Sequence, residues 1–148
     1  MKTISGKYYA YPCIRRMEDF QTKSKNFWAK NYDDGYFIFS YRTCIAQYSD
    51  GIWYINDASY SAETRKHQQE IRLALGYKFL DDNAIHLNYC IRGIQDLTYY
   101  ARTAGIQRRI DRIKKQGFKP GVGKYYRYYE SWWEKNFGGK HDDRWDYV

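Results

Sequence analysis

The sequence predicts an α+β domain in which a small antiparallel sheet, built on a hairpin at residues 36–57, carries two or three helices. Two observations predict this class. Aromatic and β-branched residues fill 36–48 and 52–57, which flank Asp50-Gly51, and an Asp-Gly pair suits the positive φ angles of a tight hairpin turn. Apolar residues then recur with helical spacing in two later segments. The length of 148 residues suits a single domain, 1–148.

Turn signals bound the predicted strands. Asp33-Asp34-Gly35 is typical of a turn that leads into the first strand, predicted at 36–48, and the second strand is predicted at 52–57. Further along, Asp81-Asp82-Asn83 predicts another turn, and residues 84–91 have the composition of a strand.

The first predicted helix follows the hairpin. Ser59 or Ser61 would accept hydrogen bonds from its free N-terminal amides, and Glu63 in the first turn would complement the helix dipole. Gly76 is a suitable C-terminal stop. The face toward the sheet would consist of Ile71, Ala74 and Leu75.

The second helical segment begins at Gly93 or Asp96 and contains Gly105, which costs about 1 kcal/mol relative to alanine in a helix interior. We therefore expect a kink or two helices there. One face of the segment is apolar and consists of Ile94, Leu97, Ala101, Ala104, Ile110 and Ile113. Residues 118–148 are expected to form an aromatic-rich C-terminal extension that closes the core.

The net charge of the chain is concentrated in one segment. The 25 Lys and Arg residues exceed the 17 Asp and Glu residues by eight. Residues 102–127 contain one acid, Asp111, and nine bases, so this segment alone carries the excess; the bases are Arg102, Arg108, Arg109, Arg112, Lys114, Lys115, Lys119, Lys124 and Arg127. A basic block of this kind is typical of a surface that binds a polyanion.

Helical spacing places four of these cations largely opposite three isoleucines. The cations, which would contact phosphates, are Arg108, Arg109, Arg112 and Lys115; the isoleucines are Ile106, Ile110 and Ile113. Three tyrosines in the segment that follows would stack on unpaired bases; they are Tyr125, Tyr126 and Tyr128. We therefore expect a non-catalytic protein whose partner is RNA, DNA or a nucleoprotein complex.

Two alternatives to this interpretation remain open. The basic surface could dock on an acidic protein, because Tyr, Trp and Arg are also the residues enriched in protein–protein hot spots. The charges could instead form a solvated helix face while the aromatic residues complete the core. The aromatic surplus also allows a homodimer.

No catalytic residue, metal site or cofactor is expected. The sequence lacks a Gly-rich phosphate loop, a nucleophile elbow and a zinc-protease motif. The alternative is a small metal-dependent nuclease, for which His141-Asp142-Asp143 and Asp146 carry suitable donor atoms. His86, which has apolar neighbours, is expected to be a hydrogen-bonded histidine in the core or half-buried, rather than a base.

Cysteine usage indicates a reduced, cytoplasmic protein. Cys13, Cys44 and Cys90 are widely spaced and odd in number, so they are expected to be buried free thiols. For Cys13, the nearby Arg15 and Arg16 leave the alternative of a thiol with a lowered pKa. No apolar run approaches the ~20 residues of a membrane span, and no membrane partner is expected.

A polar and aromatic pattern spans the hairpin and the first predicted helix. It consists of Ser40-Tyr41-Arg42-Thr43-Cys44-Ile45-Ala46, then Asp50-Gly51, then Tyr60-Ser61, Thr64 and His67-Gln68. Over residues 36–76 the pattern resembles a small uncharacterised family that recurs in phage and plasmid proteins. The resemblance implies a small mobile-element accessory protein that binds host machinery, such as a defence nuclease with its guide RNA. An anti-defence, anti-CRISPR-like inhibitor is the function that it implies.

The residues of this pattern also allow a physical interpretation of their own. Thr64 and His67 are three positions apart and share a helix face. With Ser61 they are expected to form a polar capping and packing cluster that ties the helix to the hairpin. The alternative is a catalytic or ligand-binding cluster.

Overall fold

Seven strands pair in chain order into one sheet within the residues that the computed structural model describes, 1–4, 10–88 and 96–116. The strands are β1 (Lys2–Ile4), β2 (Phe20–Thr22), β3 (Phe27–Tyr32), β4 (Gly35–Ser40), β5 (Thr43–Ser49), β6 (Ile52–Asn56) and β7 (Ala84–Leu87). The helices are α1 (Ala10–Arg16), α2 (Ala62–Leu75), α3 (Tyr77–Asn83) and α4 (Ala104–Gln116), and a 3₁₀ turn spans Leu97–Tyr100. The predicted α+β class is confirmed, with a larger sheet than expected.

The sheet is mixed rather than purely antiparallel. Strands β2 to β6 pair antiparallel, whereas β1 lies parallel to β2 and β6 lies parallel to β7. Parallel neighbours require a crossover connection, which usually contains a helix. Helix α1 lies between β1 and β2 in the chain, and α2 and α3 lie between β6 and β7. The expectation of an antiparallel sheet is therefore wrong at both edges.

The two turns that contain an Asp-Gly pair are confirmed. Asp50 and Gly51 join β5 to β6 with φ angles of 52° and 80°. Asp33 and Asp34 join β3 to β4, and Gly35 follows them at a point where β4 passes close to β5. A Cβ atom on Gly35 would lie 2.3 Å from a backbone carbonyl oxygen of β5, so only glycine fits there.

The single strand predicted at 36–48 is instead two strands, β4 and β5, joined by a turn at Tyr41-Arg42. Tyr41 has a φ of 56°, which is uncommon for a bulky residue. Two contacts with the β2–β3 region hold this turn. The Tyr41 amide donates to the Asn26 carbonyl at 2.8 Å, and the Trp28 indole donates to the Tyr41 carbonyl at 2.7 Å. The turn therefore depends on residues distant in the sequence.

Two apolar cores lie on opposite faces of the sheet. Along β4, Tyr36 and Ile38 belong to the first core, whereas Phe37 and Phe39 belong to the second, as expected for a strand with alternating faces. Helices α1, α2 and α3 cover the first core, and the 3₁₀ turn and α4 cover the second. Helices α2 and α4 therefore pack on opposite sides of the sheet.

Helix α2 begins and ends where the sequence predicts. Ser61 is the N-cap, and its hydroxyl accepts from the Thr64 amide at 3.3 Å. Gly76 is the C-cap, and Glu63 lies in the first turn. The apolar face is buried as expected and comprises Ile71, Ala74 and Leu75.

The turn predicted at 81–83 is wrong, because these residues form the end of α3. Phe79 and Leu80 are buried in the first core and fix this helix, while Asp81 is exposed to solvent. The strand predicted at 84–91 is confirmed as β7. The strand ends at Leu87, before the described residue Asn88, and the predicted residues 89–91 lie outside the described part of the chain.

The described part of the second helical segment, 96–116, contains the 3₁₀ turn and α4, which agrees with the expectation of two helices rather than one kinked helix. The break lies at 101–103 and not at Gly105, which is exposed in the first turn of α4. The Thr103 hydroxyl accepts from the Ile106 amide at 3.2 Å and so fixes the start of α4. The residues buried as predicted are Leu97, Ala101, Ile110 and Ile113; Ala104 is exposed, contrary to expectation, and Ile94 lies outside the described residues.

Candidate nucleic-acid interface

One face of α4 carries a row of exposed cations. Arg108, Arg112 and Lys115 are all exposed and lie one helical turn apart. The opposite side of the helix packs on the second core through Ile110 and Ile113, with Ile106 half-buried beside them. The predicted opposition of cations and isoleucines is thus observed for these three cations, which we call the basic row.

Within the described residues, no member of the basic row, Arg108, Arg112 or Lys115, forms an ion pair. The acid on the same helix, Asp111, accepts a hydrogen bond from Gln107 at 2.9 Å. The ends of the row are seven positions apart, which corresponds to about 10 Å along the helix axis. The row is therefore a short line of exposed cations on a helix whose opposite side packs against the second core.

Two further cations of α4 have partners within the fold. Arg109 is only half-exposed, and it donates to the carbonyls of Ala84 at 3.0 Å and Asp81 at 2.9 Å. Lys114 donates to the Asp50 carboxylate at 2.6 Å, at the tip of the β5–β6 hairpin. These contacts hold α4 against α3, β7 and the hairpin. Charge pattern alone did not distinguish Arg109 from its neighbours, because its partners are distant backbone carbonyls.

Arg102 lies just before α4 and covers an aromatic ring. Its guanidinium carbon is 4.8 Å from the centre of the Tyr99 ring. Tyr99 is 61% exposed, and its ring meets that of Tyr100 edge to face at 5.2 Å. Sequence reasoning did not single out Tyr99, although its position three residues before the first base of the block could have suggested it.

The remaining predicted interface residues lie outside the described part of the chain. They are Lys119, Lys124, Arg127, Tyr125, Tyr126 and Tyr128, all within the predicted C-terminal extension. The histidine and aspartates weighed as metal donors, 141–143 and 146, also lie outside it. Among the residues that the structure does describe, no group of three or more His, Cys, Asp or Glu residues could hold a metal ion.

The polar cluster predicted from the hairpin–helix pattern is formed on the other side of the sheet. The Ser40 hydroxyl lies 2.9 Å from the Thr64 hydroxyl and 2.7 Å from Nδ1 of His67. Ser61 caps the helix and contacts Thr64 at 3.4 Å, and Glu63 lies 3.5 Å from Nε2 of His67. The prediction that these residues tie α2 to the hairpin is confirmed.

Ser40, His67 and Glu63 have the order of a Ser–His–Glu triad, in which the serine would be the nucleophile. The Ser40 hydroxyl, however, is buried and is not open to solvent. Ser40 is only 1% exposed, and the Phe27 ring stacks on the His67 imidazole at 4.5 Å. Burial also lowers the pKa of His67, which favours the neutral ring in the folded state. A nucleophilic hydroxyl must reach the reacting carbon or phosphorus atom. In the conformation described, the Ser40 hydroxyl is therefore enclosed by the fold and bonded to α2.

A second polar cluster joins β6, α2, α3 and β7. One oxygen of the Asp57 carboxylate accepts a hydrogen bond from Arg72. The other oxygen lies 2.6 Å from Nδ1 of His86. Nε2 of His86 lies 2.7 Å from the Leu80 carbonyl. The hydrogen bond to Asp57 raises the pKa of His86. Burial alone would raise the pKa of Asp57, but the hydrogen bonds from His86 and Arg72 lower it.

A small cavity adjoins this second cluster. Its volume is about 230 Å³, below the roughly 300–1,000 Å³ of typical small-molecule sites. It is lined by Asp57, Arg72, Tyr77, Leu80, Asp81 and His86. Both ring nitrogens of His86 face acceptors, so this residue is the satisfied histidine that the sequence predicts, with a side chain 32% exposed. When the imidazole is protonated, both of its nitrogens donate to these acceptors and no lone pair is left to act as a base.

The two described cysteines, Cys13 and Cys44, are buried free thiols as predicted. Burial raises the pKa of both thiols, so the alternative of a lowered pKa at Cys13 is wrong: desolvation outweighs the nearby arginine charge. Cys90 lies outside the described residues. No helix in the described segments has the length and apolar character needed to cross a membrane.

Comparison with known proteins gives one similarity. Residues 15–81 match a family of unknown function (DUF8033). The matched segment contains β2 to β6, α2 and most of α3, and it includes the hairpin–helix pattern but not α4. The similarity to an uncharacterised family is therefore shown for this part of the chain. No curated protein and no solved structure shows significant similarity to this chain.

Proposed function

We propose that this protein binds nucleic acid, alone or within a nucleoprotein complex, through the basic row of α4 and without catalysing a reaction. The observation that carries the proposal is that some cations of α4 bond to other parts of the fold and others do not. Arg109 and Lys114 have partners within the fold, whereas Arg108, Arg112 and Lys115 are exposed, with no ion pair to another described residue. A row of cations that has no ion pair to another described residue, on a helix packed against the second core, suits a phosphate backbone.

The length of the row sets the expected strength of the interaction. A span of about 10 Å reaches roughly three phosphates of one strand, since they are 3.4 Å apart along a duplex axis. Three neutralised phosphates give a slope of log K against log salt of about −2 on single strands. A fourfold increase in salt would then weaken binding roughly 20-fold.

Fluorescence anisotropy tests the proposal with labelled single-stranded RNA, single-stranded DNA and duplex DNA at two salt concentrations. The variant Arg108→Gln/Arg112→Gln/Lys115→Gln removes the row. The matched control, Lys23→Gln/Arg65→Gln/Lys66→Gln, removes the same charge from exposed cations elsewhere, two of them on α2. Circular dichroism verifies that both variants fold.

We expect the row variant to lose roughly tenfold or more in affinity at low salt, and the control to change little. Equal losses in both variants would show a non-specific charge effect and would contradict the proposal. No binding of wild type at low salt would also contradict it. The basic row would then be a docking surface for an acidic protein, to be sought by pull-down.

The cellular role that we propose is that of a mobile-element accessory protein which inhibits a host defence nuclease that carries a guide RNA. Its support is the resemblance of the hairpin–helix pattern to a family in phage and plasmid proteins. Two buried free thiols suit the reducing cytoplasm where such a nuclease acts. Target cleavage by a purified guide-RNA nuclease should slow when wild type is added and recover with the row variant. Equal cleavage in the presence of either protein would contradict this role.

A further inference from the structure

Tyr99 is an exposed aromatic side chain on a turn that is firmly held. Its neighbour Leu97 is fully buried in the second core, whereas Tyr99 is 61% exposed. The Asp96 carboxylate accepts from the Thr98 amide at 2.9 Å and from the Thr98 hydroxyl at 2.6 Å. These bonds fix the conformation of the 3₁₀ turn at its first residues.

A buried glutamine attaches the same turn to the sheet. Gln47 on β5 is 1% exposed, and its amide nitrogen donates to Asp96 at 2.9 Å. Its amide oxygen accepts from the Leu97 backbone amide at 2.8 Å. The backbone that carries Tyr99 is therefore positioned before any ligand arrives, which lowers the entropic cost of binding.

The Tyr99 ring is also oriented by its neighbours. The Arg102 guanidinium lies over the ring at 4.8 Å, and the Tyr100 ring contacts it edge to face. A tyrosine ring or a guanidinium plane can each stack on an unpaired base. The pair also lies close to the start of the basic row. Arg102 is two positions before Ala104, the first residue of α4, and Arg108 is about 6 Å further along the helix axis than Ala104.

The geometry points to Tyr99 and Arg102 as a stacking platform for an unpaired base, with the basic row binding the phosphates that follow. The preferred ligand is then single-stranded nucleic acid, since bases within a duplex are already stacked and paired. This inference rests on the proposed function and specifies its ligand class.

Three labelled ligands of equal length test the platform: an intact single strand, the same strand with abasic sites, and a duplex. RNA and DNA versions form separate arms that report the sugar preference. The proteins compared are wild type, Tyr99→Ala and Tyr99→Phe. We expect wild type to bind the intact strand roughly fivefold or more tightly than the abasic strand. Tyr99→Ala should abolish this preference, Tyr99→Phe should retain it, and duplex affinity should not change.

A second readout does not depend on any substitution. A strand that contains 2-aminopurine should lose base fluorescence when wild type binds, because stacking quenches that base, and the loss should be absent with Tyr99→Ala. Equal affinity of wild type for intact and abasic strands, or an unchanged preference in folded Tyr99→Ala, would overturn the inference.

The variant that lacks the basic row separates the two proposals. If the row variant binds more weakly than wild type while Tyr99→Ala binds as wild type does, the phosphate interface stands and the stacking platform fails. If neither variant changes the affinity, both proposals fail. Binding by wild type to none of these ligands would overturn both as well, and would favour an acidic protein as the partner.

Discussion

Helices α2 and α4 have similar lengths, 14 and 13 residues, but use their polar residues in opposite ways. On α2, Thr64, His67 and Gln68 are buried and bond to the hairpin or to the segment after it. On α4, Arg108 and Arg112 are exposed. The family similarity covers α2 and not α4. The buried polar residues of α2 therefore hold the fold together, whereas Arg108 and Arg112 on α4 have no ion pair to another described residue.

The largest difference in stability is expected when a glutamine of each helix is replaced by leucine. The Gln68 amide donates to the Asn56 and Ala58 carbonyls at 2.8 and 3.1 Å. Gln68→Leu would leave both carbonyls without this donor in a buried site and should lower the free energy of unfolding by about 2–4 kcal/mol. Gln107→Leu on exposed α4 should change it by less than about 0.5 kcal/mol. Urea denaturation measures both. Equal effects would remove the distinction between the helices.

Ser40 tests the α2 cluster from the hairpin side. Ser40→Ala removes the hydroxyl that Thr64 and His67 share, and should lower the free energy of unfolding by about 1–3 kcal/mol because both partners stay buried. Ser59→Ala, at an exposed site before α2, is the matched control. Nucleic-acid affinity of folded Ser40→Ala should equal that of wild type. A loss of affinity without a loss of stability would instead give the cluster a functional role.

The two described histidines predict opposite pH dependences of stability. The pKa of His86 is raised by its hydrogen bond to Asp57, so its stabilisation is full below pH about 6.5 and is lost as pH rises through the raised pKa. The pKa of His67 is lowered by burial, so its contribution is present above pH about 6.5 and declines as pH falls below that value.

Urea denaturation across pH separates these contributions. Wild type should lose about 1 kcal/mol on the alkaline side of pH 6.5, roughly one charge-assisted hydrogen bond at a partly exposed site. His86→Gln should remove the loss of stability on the alkaline side and leave the loss on the acid side, which comes from His67, unchanged. An alkaline limb that persists in His86→Gln would contradict the assignment.

The smallest effects distinguish neighbours within α4 itself. Arg109→Gln removes the bonds to the Ala84 and Asp81 carbonyls and should lower the free energy of unfolding by about 1 kcal/mol. Arg108→Gln should change it by less than about 0.5 kcal/mol but reduce the salt slope of single-strand binding by about 0.7. The reverse pattern would show that Arg109 is the phosphate contact.

Local signals in the sequence predicted much of the fold. The Asp50-Gly51 hairpin, the Ser61 cap and the Gly76 stop depend on residues within a few positions of each element, and all three are confirmed. The Tyr41 turn was missed because its partners, Asn26 and Trp28, are distant in the sequence. Helix α3 was missed because buried Phe79 and Leu80 outweigh the turn preference of the polar residues that follow.

The placement of the cations on α4 was predicted to a similar degree. Helical periodicity was enough to place Arg108, Arg112 and Lys115 opposite the isoleucines, because α4 is a regular helix with one packed side. It could not show that Arg109 bonds to carbonyls across a tertiary contact. Nor could it show that Tyr99 is exposed, because that exposure follows from the anchoring of its turn by Gln47.

The most direct test of the account is the slope of log K against log salt for single-stranded RNA, measured for wild type and for Arg108→Gln/Arg112→Gln/Lys115→Gln. Three lost phosphate contacts should make the slope shallower by about 2, while the Lys23→Gln/Arg65→Gln/Lys66→Gln control keeps the wild-type slope. An identical slope in all three proteins would show that the basic row does not contact phosphates, and would contradict the central claim.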